Sequence, residues 1–310
     1  MQILIPEVMD AGAVDWLKQR FDVHYDPELF EERPRMLEAL SGATGVIVKD
    51  RTQVNTELLA SAAQLRVVGR LGVGLDNIDL PACKARNIAV FPATGANARS
   101  VAEYVICTAL MLMRPYAYVG TAAVAAGEWP QKKARGGREL DGKTFGVVGL
   151  GEVGRRVAAM ASGLGMRVLV WAPTKTAQSS ENVGARAVEM RELLAQSDIV
   201  TIHIPLTAET RGLLGRDEIA VMKKGAMLIN TARAGIVDDA ALVEAIRNRE
   251  LGGAAIDVFE PEPLGAGSIF ADPPPNLILT PHIAGGTVES TERRGTVVAE
   301  RVAAYLSDLK

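Results

Sequence analysis

The sequence predicts an α/β protein in which two parallel sheets, each covered by helices on both faces, form two domains. Three observations carry that prediction. Short apolar runs of β type alternate with helical patterns, and such alternation builds parallel sheets. The rhythm runs once over residues 1–95 and starts again near residue 140. A length of 310 residues suits about two domains of ordinary size.

The first half divides as follows. Residues 2–6 are apolar and extended, 10–20 are helical with Val14, Trp16 and Leu17 on one side, and 23–25 form a short strand. A helix over 33–40 leads to a buried strand at 45–48 (GVIV) and a helix over 55–63 capped by Asn55 or Thr56. A strand over 65–69, a helix over 80–86 and a strand over 88–91 complete the set. Residues 97–113 (NARSVAEYVICTALMLM) are helical with an apolar majority, which points to a place between domains or subunits. A further helix is expected over 122–129, ended by Pro130, and the basic stretch 132–138 reads as a solvated connection.

The second half predicts strands over 145–148, 168–171, 185–188, 199–204, 227–230, 254–258 and 277–279. Helices are expected over 152–163, 190–196, 217–222 and 238–249. A last helix, 288–306, falls after this sheet is complete and is expected to pack back on the first domain. The expected organisation is a first domain made of 1–96 and 285–310, interrupted by a second domain over 97–284.

Within the second half, TFGVVGLGEVG (144–154) places Gly149-x-Gly151-x-x-Gly154 between a strand and a helix. In that setting the first glycine permits a tight turn, the second lets a pyrophosphate approach the backbone, and the third allows close helix–strand packing. The phosphates would sit on the helix N-terminus, where unpaired N–H groups and the dipole favour an anion. The pattern predicts a Rossmann dinucleotide-binding domain. The alternative is an ordinary glycine-rich turn. The acidic residue that holds the adenosine ribose, expected roughly 20 residues on, is missing. Ala172 stands there, followed by Pro173, Thr174 and Lys175. A carboxylate would repel a 2′-phosphate, so its absence leaves NADP open beside NAD. Thr174 and Lys175 are candidates to bind such a phosphate, or Lys175 is a solvated loop charge.

Bulk properties narrow the partners. A net charge of −3 gives no footprint for nucleic acid or an anionic membrane. No apolar run approaches the roughly 18 residues of a spanning helix, and the N-terminus MQILIPEVMD lacks a basic leader. Cys83 and Cys107 lie far apart outside any CxxC, which argues against a disulfide framework or zinc site and suits a reducing cytoplasm. No metal is expected.

Oxidising a hydroxyl with a nicotinamide needs a base, a cation for the substrate and a carboxylate to orient the base. Of the three histidines, His24 reads as structural, and His203 before Pro205 either lines the site or belongs to the core. His282, between Pro281 and the small residues Ala284, Gly285 and Gly286, is the best acid/base candidate. Arg233, in NTARAG (230–235), can grip a carboxylate bidentately. Glu262, flanked by Pro261 and Pro263, suits an orienting role, with Asp257 and Glu260 as rivals. In the first domain, LGVGLD (71–76) offers backbone amides as a carboxylate nest, or is a plain glycine turn.

Together these segments resemble one family, the D-isomer-specific 2-hydroxyacid dehydrogenases. The resemblance covers essentially the whole chain. It is carried by GRLGVGLDNIDL (69–80), NARSVAEY (97–104), GKTFGVVGLGEVG (142–154), IHIPLTAETRGLL (202–214), LINTARAGIVDDAAL (228–242), GGAAIDVFEPEPL (252–264) and LTPHIAGGT (279–287). It implies a flavodoxin-like substrate domain around the inserted Rossmann domain. It implies Arg233, Glu262 and His282 as the catalytic set, and Val73 and Gly74 after Gly72 as the carboxylate-binding loop. Family cofactor contacts fall on Val73, Gly149, Gly151, Glu152, Val153, Gly154, Ile204, Thr231, Ala232, Arg233, Asp257, His282 and Gly285, with Ala172 at the ribose position. The family leans the cofactor toward NAD and suggests a homodimer.

Arg51 and Lys49, in the loop after a first-domain strand, suit a substrate with a second anionic group, sulfolactate-like or phosphoglycerate-like. Glyoxylate and hydroxypyruvate are the simpler candidates. A different class also uses this fold: a dinucleotide-sensing corepressor, a binding protein that can retain the same three residues.

Overall fold

The computed structural model describes residues 2–134, 136–173 and 182–309, the side chains of 116–119, 133 and 134 excepted. It divides into two compact units, Met1–Asn97 with Gly286–Lys310, and Ala98–Gly285.

The first unit is a five-stranded parallel sheet. Its strands are β1 (Gln2–Ile5), β2 (Asp22–Tyr25), β3 (Ala43–Val48), β4 (Val67–Arg70) and β5 (Ala89–Pro92), ordered β2-β1-β3-β4-β5. That order is the flavodoxin-like one. Alternate side chains enter opposite layers, as the pleat requires: Ile3 and Ile5 join one apolar cluster and Leu4 the other. Helices α1 (Ala11–Lys18), α2 (Arg33–Leu40), α3 (Thr56–Ser61) and α4 (Leu80–Ala85) cover the faces. Asp10, Asn55 and Asp79 cap three of them by accepting backbone N–H bonds. The last helix, α12 (Val288–Asp308), lies on β4 because Gly69 has no side chain. A Cβ there would stand 2.5 Å from Val298 Cγ1.

The second unit is a seven-stranded parallel sheet of β6 (Thr144–Val148), β7 (Arg167–Trp171), β8 (Ala185–Ala187), β9 (Ile199–Ile202), β10 (Met227–Asn230), β11 (Gly253–Ile256) and β12 (Leu277–Leu279). Its order is β12-β11-β10-β9-β6-β7-β8. Reckoned from β6 as first, six of the strands have the Rossmann order 3-2-1-4-5-6, extended by β12. The chain reverses direction across the sheet between β9 and β6, the switch point at which such sheets bind ligands. Helices α8 (Glu152–Gly163), α9 (Met190–Gln196), α10 (Arg216–Val221) and α11 (Asp239–Arg247) surround it.

Two expectations are revised. The helix expected over 122–129 is α6 (Tyr116–Ala125), and it stops before Pro130. Gly127 takes a left-handed φ of 81° just past the end, so glycine ends the helix before proline is reached. The stretch expected as loop from 132 contains one helical turn, α7 (Gln131–Ala134). The apolar helix α5 (Ala98–Met113) buries Val101, Val105, Ala109 and Leu112 within the second unit, packed on α8 and on β10 to β12. Its apolar majority is thus accounted for inside one unit, with Leu110 left 47% exposed.

Candidate functional site

Six parallel strands of the larger sheet end along one edge, in the register Leu279–Ile256–Asn230–Ile202–Val148–Trp171. The residues that follow those ends include nearly every candidate on this unit: His282, Glu262 with Asp257, Arg233, His203 with Ile204, the glycine loop, and Ala172.

The glycine loop has the shape a dinucleotide needs. Gly149 has φ 102°, and a Cβ would stand 2.5 Å from the His203 carbonyl. A Cβ on Gly154 would collide with the Gly149 carbonyl, so the third glycine sets the helix–strand approach. Around Gly151 nothing lies within 4 Å of a built Cβ, leaving open space at the N-cap of α8, where no side chain caps the helix. The amides of Glu152 and Val153 open that helix. Ile204 is buried against Gly149, forming the wall of the loop. Farther along the edge, the Thr231 hydroxyl is buried without a hydrogen-bond partner among the described residues, as expected of a group that meets a ligand. These residues fit a dinucleotide. Ala172 follows the end of β7, whose Trp171 carbonyl accepts the Gly149 N–H at 2.8 Å. Thr174 and Lys175, the proposed phosphate ligands, lie outside the described residues.

His282 and Glu262 come together. Glu262 Oε2 is 2.7 Å from His282 Nδ1, and Oε1 accepts the Phe259 N–H at 2.8 Å. Both side chains keep solvent access, 50% for the imidazole and 37% for the carboxylate. With Nδ1 as the donor, the Nε2 lone pair is left for a substrate proton. His282 has φ 55°, a left-handed conformation uncommon for a residue with a side chain.

The rivals are placed elsewhere. Glu260 is exposed and pairs with Arg211 at 3.5 Å. Asp257 is 1% exposed and ties down the turn that carries His282. Its oxygens accept Ile283 N–H and Ala284 N–H at 2.8 Å each, and the Thr280 hydroxyl at 2.5 Å. His203 sits just past β9 with Nε2 3.0 Å from Thr201 Oγ1. Burial pushes its imidazole down to about 3, so it is neutral and unsuited to accept a proton at ordinary pH. His203 is half-buried at this strand end, with its carbonyl against Gly149 of the glycine loop.

Arg233 is half-buried at the end of β10. The buried Asn230 shapes its loop, donating to the Arg233 carbonyl at 3.0 Å and accepting Ala232 N–H at 3.1 Å. The guanidinium Nη1 donates to the Ala232 carbonyl at 2.7 Å.

On the first unit, the 49–52 loop is built around Glu7, a residue that sequence reasoning does not single out. Glu7, 2% exposed, accepts the N–H groups of Lys49, Asp50, Arg51 and Thr52 at 2.8, 3.2, 3.0 and 3.1 Å. The loop's amides are therefore occupied, and its side chains are what it can offer. Lys49 faces Asp50 at 3.9 Å, and the Arg51 guanidinium lies 5.2 Å from the Phe30 ring centre. Glu7 closely follows an apolar strand, a position where an acid is a readable signal. In the 71–76 loop Val73 is 43% exposed. Among the described residues the Val73 and Gly74 amides have no protein acceptor.

Comparison with known proteins decides the class. Residues 106–284 match the model of the D-isomer specific 2-hydroxyacid dehydrogenase NAD binding domain. An (S)-sulfolactate dehydrogenase of Chromohalobacter salexigens is 46% identical over 97% of this chain and 96% of its own. The chain belongs to the D-isomer specific 2-hydroxyacid dehydrogenases. A D-3-phosphoglycerate dehydrogenase of Archaeoglobus fulgidus is 36% identical over 97% of this chain, which spans 56% of that relative's length. The NAD-dependent formate dehydrogenase of Staphylococcus aureus, solved in complex with NAD, superposes with a TM-score of 0.81 at 30% identity. That match covers 99% of this chain and 96% of the other. This dehydrogenase is thus an NAD(P)-dependent oxidoreductase of 2-hydroxyacids, with the cofactor leaning to NAD. Among the described residues no helix is long and apolar enough to cross a membrane.

Proposed function

We propose that the chain interconverts a 2-hydroxyacid bearing a second anionic group with its 2-oxoacid, a 3-sulfolactate-like substrate first and a phosphoglycerate-like one second. The observation that carries the catalytic part is the 2.7 Å contact between His282 Nδ1 and Glu262 Oε2, beside the strand end that bears Arg233. Arg233 pairs with the substrate carboxylate, which a planar guanidinium can hold through two hydrogen bonds. In oxidation His282 Nε2 takes the C2 hydroxyl proton, and Glu262 balances the charge that develops on the ring. In reduction the protonated His282 returns that proton. A bound nicotinamide would supply the hydride chemistry at C2. The buried Thr231 hydroxyl, the Gly149–x–Gly151–x–x–Gly154 loop and the first amides of α8 are the groups that would hold the dinucleotide.

On this reading the discontinuous unit is the substrate domain and the inserted one the dinucleotide domain. On the discontinuous unit the groups available to an anion are the Val73 and Gly74 amides and the Arg51 guanidinium. The 46% identity to a sulfolactate dehydrogenase supports the order of substrates. A homodimer is part of the proposal. Helix α6 contains no charged residue, Val124 on it is 49% exposed and Trp129 beyond it is 77% exposed, a surface suited to a second copy.

The test is an absorbance assay of NADH and NADPH oxidation with 3-sulfopyruvate, 3-phosphohydroxypyruvate, hydroxypyruvate and glyoxylate. The expected result is the highest kcat/KM for 3-sulfopyruvate with NADH. Equal efficiency on glyoxylate would remove the second-anion assignment, and no turnover with any of them would remove the substrate class.

A further inference from the structure

The catalytic turn is held from behind by a chain of hydroxyl groups. Asp257 Oδ1 accepts the Thr280 hydroxyl at 2.5 Å, and Thr280 Oγ1 lies 2.5 Å from the Tyr104 hydroxyl. Thr280 has one hydroxyl hydrogen and gives it to the carboxylate, so the Tyr104 O–H must be the donor to Thr280. Asp257 in turn takes the two amides that follow His282, one on each oxygen, at 2.8 Å. His282 N–H bends back onto the Thr280 carbonyl at 2.9 Å. These supports of the left-handed His282 backbone all pass through Thr280 or Asp257. Tyr104 joins that system to α5, a helix whose own buried face packs on the large sheet.

We propose that Tyr104 is a positioning residue for His282: through Thr280 and Asp257 it holds the turn that keeps His282 Nδ1 on Glu262. This rests on the reading of His282 as the acid–base group. Burial raises the Tyr104 phenol to about 12, against the lowering effect of the Thr280 hydrogen bond and with a further rise from Asp257. The phenol thus remains a donor through the neutral range. The Tyr104 hydroxyl acts on His282 only through Thr280 and Asp257, so removing it changes the proton-transfer geometry without removing a reacting group.

The experiment uses isotope-labelled full-length protein and long-range proton–nitrogen NMR, which distinguishes the Nδ1–H from the Nε2–H tautomer of each neutral imidazole. With three histidines, His282→Asn identifies the signals of His282. The wild type is expected to show the Nδ1–H form. Tyr104→Phe and Thr280→Val are expected to give a mixture with Nε2–H, the form preferred by an unheld ring, while Thr280→Ser keeps the wild-type pattern. In parallel, kcat should fall about fivefold to tenfold in Tyr104→Phe, the effect of losing one hydrogen bond, with the dissociation constant for NADH unchanged. An unaltered tautomer or an unaltered kcat in Tyr104→Phe overturns the proposal. A variant that loses thermal stability but keeps the tautomer also overturns it, because the role is then structural. If Tyr104→Phe does not fold, the comparison of Thr280→Val with Thr280→Ser decides by the same two readouts. An Nε2–H wild type, or full turnover in His282→Asn, instead removes the underlying assignment of His282.

Discussion

Glu262 divides its carboxylate between two tasks: Oε2 meets His282 Nδ1 at 2.7 Å while Oε1 takes the Phe259 N–H at 2.8 Å. The second bond fixes the group that orients the first. Glu262→Gln keeps the volume and an acceptor oxygen but removes the charge facing the imidazole. A positioned general base contributes about 10²- to 10⁴-fold to turnover. The expected loss of kcat for Glu262→Gln is about 100-fold, with NADH affinity unchanged by fluorescence titration. Wild-type turnover would exclude the pair from proton transfer.

Arg233 offers a different signature. Its loop is held by the buried Asn230 on both sides of Ala232, so truncating the side chain is expected to leave the fold intact. Arg233→Ala is expected to lose most turnover and to raise KM for the 2-oxoacid, at a cost of about 2–5 kcal/mol for a buried charged contact left unpaired. Cofactor binding should persist. An active Arg233→Ala enzyme with unchanged substrate affinity would sink the assignment.

Much of this is legible in the sequence because the elements advertise themselves. Apolar strands such as 145–148 and 227–230, followed by loops with unusual chemistry, place Gly149, Arg233 and His282 at strand ends on pattern alone. The supports are not legible. Glu7 reaches the 49–52 loop across more than forty residues of chain, and Tyr104 reaches Thr280 across 176. Contacts of that separation leave no local pattern. Asp257 is visible as an acid at a strand end, but its burial and its grip on the Ile283 and Ala284 amides depend on a neighbouring strand. The end of α6 departs from expectation because proline is the stronger stop in general, yet the left-handed Gly127 comes first in this chain.

The glycine loop separates folding from binding. Gly154 has no room for a Cβ against the Gly149 carbonyl, whereas Gly151 faces open space. Gly154→Ala is expected to lower Tm and weaken NADH binding together, since the helix must move off the strand; overpacking of this kind costs about 1–3 kcal/mol. Gly151→Ala should keep the wild-type Tm while raising the NADH dissociation constant. Calorimetry beside fluorescence titration reads both. A Gly151→Ala protein that binds NADH as the wild type does would mean the open space is not where the pyrophosphate lies.

His203 predicts a pH effect on stability apart from catalysis. Burial lowers its imidazole from 6.5 to about 3, so between those values the unfolded chain binds a proton that the folded chain refuses. Stability therefore rises with pH across this window and is lost as pH falls, by at most about 1.4 kcal/mol per pH unit. Other groups titrate in the same range, so the comparison must be with a variant. His203→Gln keeps a polar partner for Thr201 and cannot take up the proton. Urea unfolding at about pH 7 and about pH 4.5, the lower value lying roughly two units inside the window, should show the wild type losing about 2–3 kcal/mol more than His203→Gln. Parallel losses in the two proteins would show that the His203 ring is protonated in the folded state, with the Thr201 hydroxyl then serving as its acceptor.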